Sequence, residues 1–259
     1  MPTFKISVTV CLLIACLSLS AQNKKGVNKE SRSSIGLAFF SFLTPPEEIS
    51  RLYEKGSGAD FTSKQRFSYQ GKFEYSHLIG NSFEASLGII VGVYPIDFNI
   101  SLENGFSPIG RAYNFLSIDR GGFLYGGITI NMGYIKNLGD RQFLSIRAGA
   151  NYVIFIPQYY NFHFSWHTGT QVLQVFEARS NINPEGKAFL APELALRYHR
   201  KFGKFITPYV GLDGVYSTNR PIVGRQFTIY GANENLHGTF TRQFVHYGVE
   251  LGLKVTIVN

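Results

Sequence analysis

The sequence predicts an all-β chain closed into an eight-stranded antiparallel up-and-down barrel that crosses a membrane. Three observations predict it. The first is the run 239–257, where Val245, Tyr247, Val249, Leu251, Leu253, Val255 and Ile257 alternate with His246, Gly248, Glu250, Gly252, Lys254 and Thr256. Strict alternation of that length gives a strand with one apolar and one polar face. It exceeds the roughly 9–11 residues needed to cross a bilayer at a tilt. The second is composition: 27 Gly, 23 Phe and 15 Tyr, with only 16% charged residues. A hydrophobic fraction of 44% resembles that of a soluble protein, but a barrel hides in such averages because only alternate residues face lipid. After the leader no run of about 18 apolar residues occurs, which argues against a helical membrane protein. The third observation is the order of long and short connections, which emerges from the elements taken in turn.

The amino terminus carries one charge, Lys5, then an apolar run over 6–19 and the exit Ser20-Ala21-Gln22. That is the layout of a secretory signal. Cleavage is expected after Ala21, making 1–21 a signal peptide, 22–33 a polar periplasmic lead-in and 34–259 the barrel. Leu13-Ile-Ala-Cys16 also fits a lipobox in which Cys16 is lipidated, against which the apolar run continues to Leu19. Both cysteines, Cys11 and Cys16, lie in the leader. The mature chain would then hold no thiol, which excludes disulfide frameworks, thiolate metal sites and Cys nucleophiles. The net charge of +8 is expected to meet lipid phosphates, since no nucleic-acid motif accompanies it.

The first strand is expected at about 34–42, followed by a long polar stretch to 65 that holds Thr44-Pro-Pro-Glu-Glu48 and Gly56-Ser-Gly58. The second, about 66–79, sets Phe67, Tyr69, Phe73 and Tyr75 against Gln70, Lys72, Glu74 and Ser76, and Gly80-Asn81 makes a tight turn. The third, about 82–95, alternates Phe83, Ala85, Leu87, Ile89, Val91 and Val93 with Glu84, Ser86, Gly88 and Gly92. A second long loop covers 96–119. The fourth strand, about 120–135, points Leu124, Ile128, Ile130, Met132 and Tyr134 outward, opposite Thr129, Asn131 and Gly133; residues 136–140 form a short turn. The fifth, about 143–156, opposes Leu144, Ile146, Tyr152 and Ile154 to Ser145, Arg147, Gly149 and Asn151. A third long loop spans 157–185. The sixth strand, about 186–199, carries Leu190, Leu194, Leu196 and Tyr198 against Glu193, Arg197 and His199; residues 200–204 turn the chain into the seventh, about 205–217. A fourth long loop, 218–238, precedes the terminal strand.

Long and short connections therefore alternate along the whole chain. That is the pattern of a bacterial outer-membrane barrel, with long extracellular loops, short periplasmic turns and both termini inside. A soluble β-sandwich shares the Gly and Tyr enrichment but has no reason to alternate loop length. Within the third loop, 162–166 and 171–176 flank His167-Thr-Gly-Thr170 and read as a hairpin. It is expected to extend strands five and six above the membrane, or to raise the strand count to ten.

The leader ending Ser-Ala-Gln, the strand Pro208-Tyr-Val-Gly-Leu-Asp-Gly-Val-Tyr216 and the ending Gly248-Val-Glu-Leu-Gly-Leu-Lys254 resemble the small outer-membrane β-barrel domain family of Bacteroidetes type. That family is a loose relative of the OmpA and OmpW transmembrane barrels. The resemblance implies a barrel of this architecture in the outer membrane. One departure is the ending Ile257-Val-Asn259, where such barrels carry a terminal aromatic residue read by the assembly machinery.

The terminal strand fixes which parity faces inward. The lumen should then hold Lys72, Glu74, Glu84, Arg147, Glu193, Arg197, His199, Asp213, His246, Glu250 and Lys254. An eight-stranded barrel has room inside only for its own side chains, and a buried unpaired charge costs several kcal/mol. A near-balanced set of both signs suits a salt-bridged plug, whereas a selective pore would show rings of one sign. Lumen glycines, among them Gly133, Gly149, Gly211 and Gly252, are expected to make room for long Arg and Lys chains. His199 and His246 raise the question of a metal site, but neither strand carries ligands at metal-binding spacing, so no metal and no cofactor are expected.

His163-Phe-Ser165 is the sharpest catalytic candidate, because the strand period places a nucleophile and a base on one face. The spacing resembles the His-x-Ser of outer-membrane lipid A deacylases, where it lies on a late transmembrane strand beside a glutamate. Here it lies in the third loop, with Glu177 the nearest downstream acid. The surrounding Tyr159, Tyr160, Phe162, Phe164 and Trp166 suit an interfacial belt or a contact surface. Arg220, Arg225 and Arg242, flanking the fourth loop, could grip lipopolysaccharide phosphates. Gly121-Gly122 and Gly126-Gly127 are not phosphate loops, since no helix follows them. The expectation is a non-catalytic outer-membrane barrel with a largely closed lumen, acting as a structural, surface or accessory subunit. Partners would be outer-membrane lipid or another outer-membrane protein engaging the loops. A narrow channel for small solutes is the first alternative and a lipid-modifying enzyme the second.

Overall fold

The computed structural model describes residues 33–46, 48–51, 58–63, 65–95, 98–104, 106–108, 110, 113–115, 122–156, 161–182, 188–217 and 223–257. The leader, the lipobox cysteine and residues 22–32 of the lead-in lie outside them. Eight long strands form the barrel: β1 (Ser33–Thr44), β4 (Arg66–Ile79), β5 (Phe83–Pro95), β8 (Gly122–Gly139), β9 (Gln142–Phe155), β12 (Ala188–Arg200), β13 (Ile206–Tyr216) and β16 (Val245–Ile257). They close in the order β1-β16-β13-β12-β9-β8-β5-β4. Every pair is antiparallel, and β1 completes the ring by pairing with both β16 and β4.

The two faces are chemically inverted relative to a soluble protein. Leu37, Phe73, Ile89, Ile128, Leu194, Leu212 and Leu251 are exposed on the outer wall, while Lys72, Glu74, Arg197 and Glu250 are buried inside. Apolar side chains cannot be left in water on that scale, but against hydrocarbon they cost nothing. The molecule is a transmembrane β-barrel of the outer-membrane type. Aromatic pairs sit on the outer wall, Phe39 stacked on Tyr69 at 5.5 Å and, beside the short Gly80-Asn81 turn, Phe83 edge-on to Tyr134 at 5.6 Å.

The long connections are not bare loops. They carry β2 (Glu48–Arg51), β3 (Ala59–Ser63), β6 (Phe98–Leu102), β7 (Tyr113–Phe115), β10 (Asn161–Thr168), β11 (Gln171–Ile182), β14 (Val223–Tyr230) and β15 (Asn235–Arg242). These assemble into a five-stranded sheet, β10-β11-β14-β15-β2, and a three-stranded sheet, β3-β6-β7. Together they form an extracellular cap. The third-loop hairpin exists, but it does not extend strands five and six. It pairs instead with β14 across Phe176↔Ile229 to Ile182↔Val223, and the barrel closes at eight.

The terminal alternation also divides. Residues 239–242 belong to β15 in the cap, and β16 begins only at Val245. The break is a backbone hydrogen bond from Val245 N to Gln243 O at 3.0 Å, a three-residue turn centred on Phe244. The Tyr94 hydroxyl pins it by donating to Gln243 O at 2.7 Å, and Ser217 N donates to Phe244 O at 2.8 Å. Period-two alternation runs straight through this bend, so the pattern alone does not reveal it. At the other end β8 continues through 136–139 with a bulge between Asn137 and Gly139, where a turn was expected to start.

Candidate functional site

The lower lumen holds one connected set of nine charges. Glu74 on β4 takes Arg147 from β9 at 3.1 Å, Arg197 from β12 at 2.9 Å and Lys254 from β16 at 3.8 Å. Arg197 also makes a forked bond to Glu250, with Nε and Nη2 both at 2.7 Å, the strongest geometry open to a guanidinium and a carboxylate. Its guanidinium lies over the Tyr209 ring at 4.6 Å. Lys72 reaches across the barrel to Glu193 at 2.5 Å, and lies 3.5 Å from Asp213 and 4.0 Å from Glu250. Lys254 closes the periplasmic side on Glu84 at 2.6 Å. Hydroxyls add further bonds: Arg147 also donates to Ser86, and Thr129 donates to Glu193 at 3.3 Å, while both Asp213 carboxylate oxygens accept no hydrogen bond among the described residues.

Space for these long chains comes from missing side chains on neighbouring strands. A Cβ on Gly211 would stand 2.8 Å from Arg197 Cγ, and one on Gly252 would stand 2.2 Å from the Tyr209 ring. The glycines thus house tyrosines as well as basic residues. His199 does not approach the other histidine. It shares a 2.8 Å hydrogen bond with Ser145 and stacks on Phe143 at 4.4 Å. His246 sits higher, stacked on Phe42 at 4.2 Å and edge-on to Phe244 at 4.9 Å. Among the described residues no group of His, Cys, Asp and Glu is arranged to hold a metal ion.

Above the charges lies a second layer absent from the sequence expectation. Phe40, Phe42, Tyr94, Phe123, Tyr125, Phe155 and Phe244 all turn inward and are fully or almost fully buried. Phe244 is the hub. Its ring lies 5.1 Å from Tyr94, 5.2 Å from Tyr125, 5.2 Å from Phe189 and 5.8 Å from Phe155. The Tyr125 hydroxyl links the two layers by donating to Gln70 at 2.8 Å. Six of these aromatics occupy inward parity on their strands, so parity alone could have found them, while Phe244 sits in the turn that precedes β16.

The apolar layer is continuous with the core of the cap. Phe61 on β3 stacks on Phe227 at 4.4 Å and lies 5.4 Å from Phe240 and 6.0 Å from Phe176, joining the two sheets face to face. The aromatic stretch of the third loop maps here. Trp166 is half-buried against this core. Phe162 and Phe164 lie on β10 opposite Ala178 and Phe176. Tyr159 and Tyr160 lie outside the described residues, as does Arg220. Arg225 opposes Phe240 and Arg242 opposes Val223 on the paired strands β14 and β15.

The candidate triad is partly assembled by strand register. His163 faces Glu177 across β10 and β11, with Ser165 two residues on. A bulge follows, because Phe164 pairs with Phe176 while Ser165 pairs with Gln174. It leaves Val175 and Phe176 both buried in the cap core. Glu177 accepts from Tyr230 at 3.0 Å and from Gln174 at 3.4 Å.

No family model matches the sequence, and no curated protein does. Among solved structures, the chain is similar to the outer membrane protein OprG from Pseudomonas aeruginosa, at 9% identity over 88% of this chain and 97% of that one, with a TM-score of 0.44. Neisserial surface protein A is similar at 7% identity over 87% and 96%, with a TM-score of 0.41. The outer membrane protein AlkL is similar at 14% identity over 91% and 94%, with a TM-score of 0.37. The barrel assignment itself rests on the strand pairing and on the chemistry of the two faces.

Proposed function

We propose that this chain is a non-catalytic, closed outer-membrane barrel of the small Bacteroidetes type, exported by its leader, whose folded cap is the working surface. Its role is that of a surface or accessory subunit that engages another outer-membrane protein or lipopolysaccharide. The observation that carries this is the double seal. An ion-paired layer fills the lower lumen, and an aromatic layer above it runs without interruption into the core of the cap. Neither layer resembles a conduit, which would show a ring of one sign or a polar path. A rigid scaffold that presents folded connections is the usual arrangement for recognition.

Planar-bilayer recording tests the proposal. The purified barrel should give no steady open state. A reproducible conductance of hundreds of picosiemens, on the order expected of wide lumens, would overturn it in favour of a channel. The register of His163, Ser165 and Glu177 favours a second reading, a lipid-modifying enzyme. It is separated from the first by the acyl profile of the host lipid.

A further inference from the structure

We propose that the periplasmic rim carries a binding site for anionic phospholipid headgroups of the inner leaflet, confined to one side of the barrel. Two neighbouring turns build it. The end of β8 and the β8–β9 turn supply Lys136 and Arg141, and the end of β12 and the β12–β13 turn supply Arg200, Lys201 and Lys204, all exposed. The only carboxylate in these turns is Asp140. Among the described residues none of the five cations is held in an ion pair. The third periplasmic turn, Gly80-Asn81-Ser82, carries no charge. Among the described residues the basic patch is therefore one-sided.

The backbone holds the patch as one unit. Lys201 N donates to Arg141 O at 2.8 Å, tying the two turns together. Phe202 N donates to Ile206 O at 2.7 Å, closing the second turn, with Gly203 supplying a φ of 69° inside it. Thr256 N donates to Phe205 O at 2.8 Å, fastening the turn to the barrel wall.

A membrane rather than a soluble acidic partner follows from the apolar side chains interleaved with the charges. Leu138, Phe202, Phe205 and Ile206 are all exposed on the same turns. Arg200 lies over the Phe202 ring at 5.5 Å and Lys201 over Phe143 at 6.0 Å. Aromatic rings with cations at one level are the signature of the headgroup region, where the stem lies in hydrocarbon and the charge in the polar layer. The patch also borders the lipid-facing wall directly, so a phosphodiester in the inner leaflet meets it without leaving the bilayer.

The test is native mass spectrometry of the full barrel released from bilayers of phosphatidylcholine mixed with phosphatidylglycerol. The wild type should retain phosphatidylglycerol in preference to phosphatidylcholine. The triple variant Arg141→Gln, Arg200→Gln, Lys201→Gln should lose roughly tenfold or more of that preference, given the contribution of each basic residue at an anionic surface. The variant Arg66→Gln, which removes an exposed charge at the opposite end of β4, should keep it. The preference should also fade at about 1 M salt, where the screening length falls to about 3 Å. Should the triple variant lose its heat-modifiable mobility, Lys136→Gln with Lys204→Gln makes the same test with fewer changes. Equal retention of the two lipids by wild type, or an unchanged preference in the rim variants, would overturn the site.

Discussion

Replacing Arg197 with Met should be among the most damaging single changes in the barrel. The guanidinium donates to both oxygens of Glu250 at 2.7 Å and to Glu74 at 2.9 Å, and it is fully buried. After its removal Glu74 keeps Arg147 at 3.1 Å and Lys254 at 3.8 Å. Among the described residues Glu250 keeps only Lys72 at 4.0 Å and the Tyr209 hydroxyl at 3.4 Å. The loss is thus concentrated on one orphaned carboxylate in a space that admits little water. Breaking a buried pair on one side costs about 3–5 kcal/mol, whereas removing both partners together can be nearly neutral. Arg197→Met with Glu250→Gln should recover most of the loss, giving a coupling energy of about 2–3 kcal/mol. The assay is denaturant unfolding of the refolded barrel in phospholipid vesicles, read by the gel-mobility difference between folded and unfolded forms. A single-variant cost below about 1 kcal/mol, the level of an exposed pair, would refute the reasoning. So would a double variant as unstable as the sum of its parts.

Gly252→Ala should lower the unfolding midpoint by the equivalent of about 1–3 kcal/mol, because its Cβ would meet the Tyr209 ring at 2.2 Å. Gly214→Ala, which meets nothing within 4 Å, should stay within about 0.5 kcal/mol in the same assay. Deleting residues 162–176 removes β10 and part of β11 but no barrel pairing. Heat-modifiability should survive while partner capture by the cap is lost, and disappearance of the folded band would contradict the separation of cap from barrel. Ser165→Ala should leave the lipid A acylation profile of the host unchanged in mass spectra, and a shifted profile would revive the enzyme.

The barrel was legible because the bilayer imposes two regularities on sequence, the period of two and the alternation of connection length. Parity also located the lumen charges. It could not say that Lys72 meets Glu193, a pair 121 residues apart that spans the lumen. Such a contact depends on strand stagger, and a linear pattern does not carry it. The inward aromatics at 40, 42, 94, 123, 125 and 155 had the same parity signal, but a barrel interior is expected to be polar, so they passed unread. Of the cap, the β10–β11 hairpin was legible, but its docking was not, because the sheets are completed by pairings between different loops, as in Phe176↔Ile229 and Phe240↔Ile49. The bend at Phe244 was hidden because alternation persists on both sides of it.

The pairing of β15 with β2 joins the fourth extracellular connection to the first. These segments stand near opposite ends of the chain, and the strands that bring them together are β16 and β1, whose meeting seals the barrel. Adding β2 to the sheet therefore needs a closure across most of the chain, which is slow relative to the local β10–β11 and β14–β15 hairpins. A half-assembled chain would have its hairpins but not this surface. An antibody fragment raised against the completed sheet would accordingly recognise finished molecules alone, and its binding over time on living cells would clock that closure.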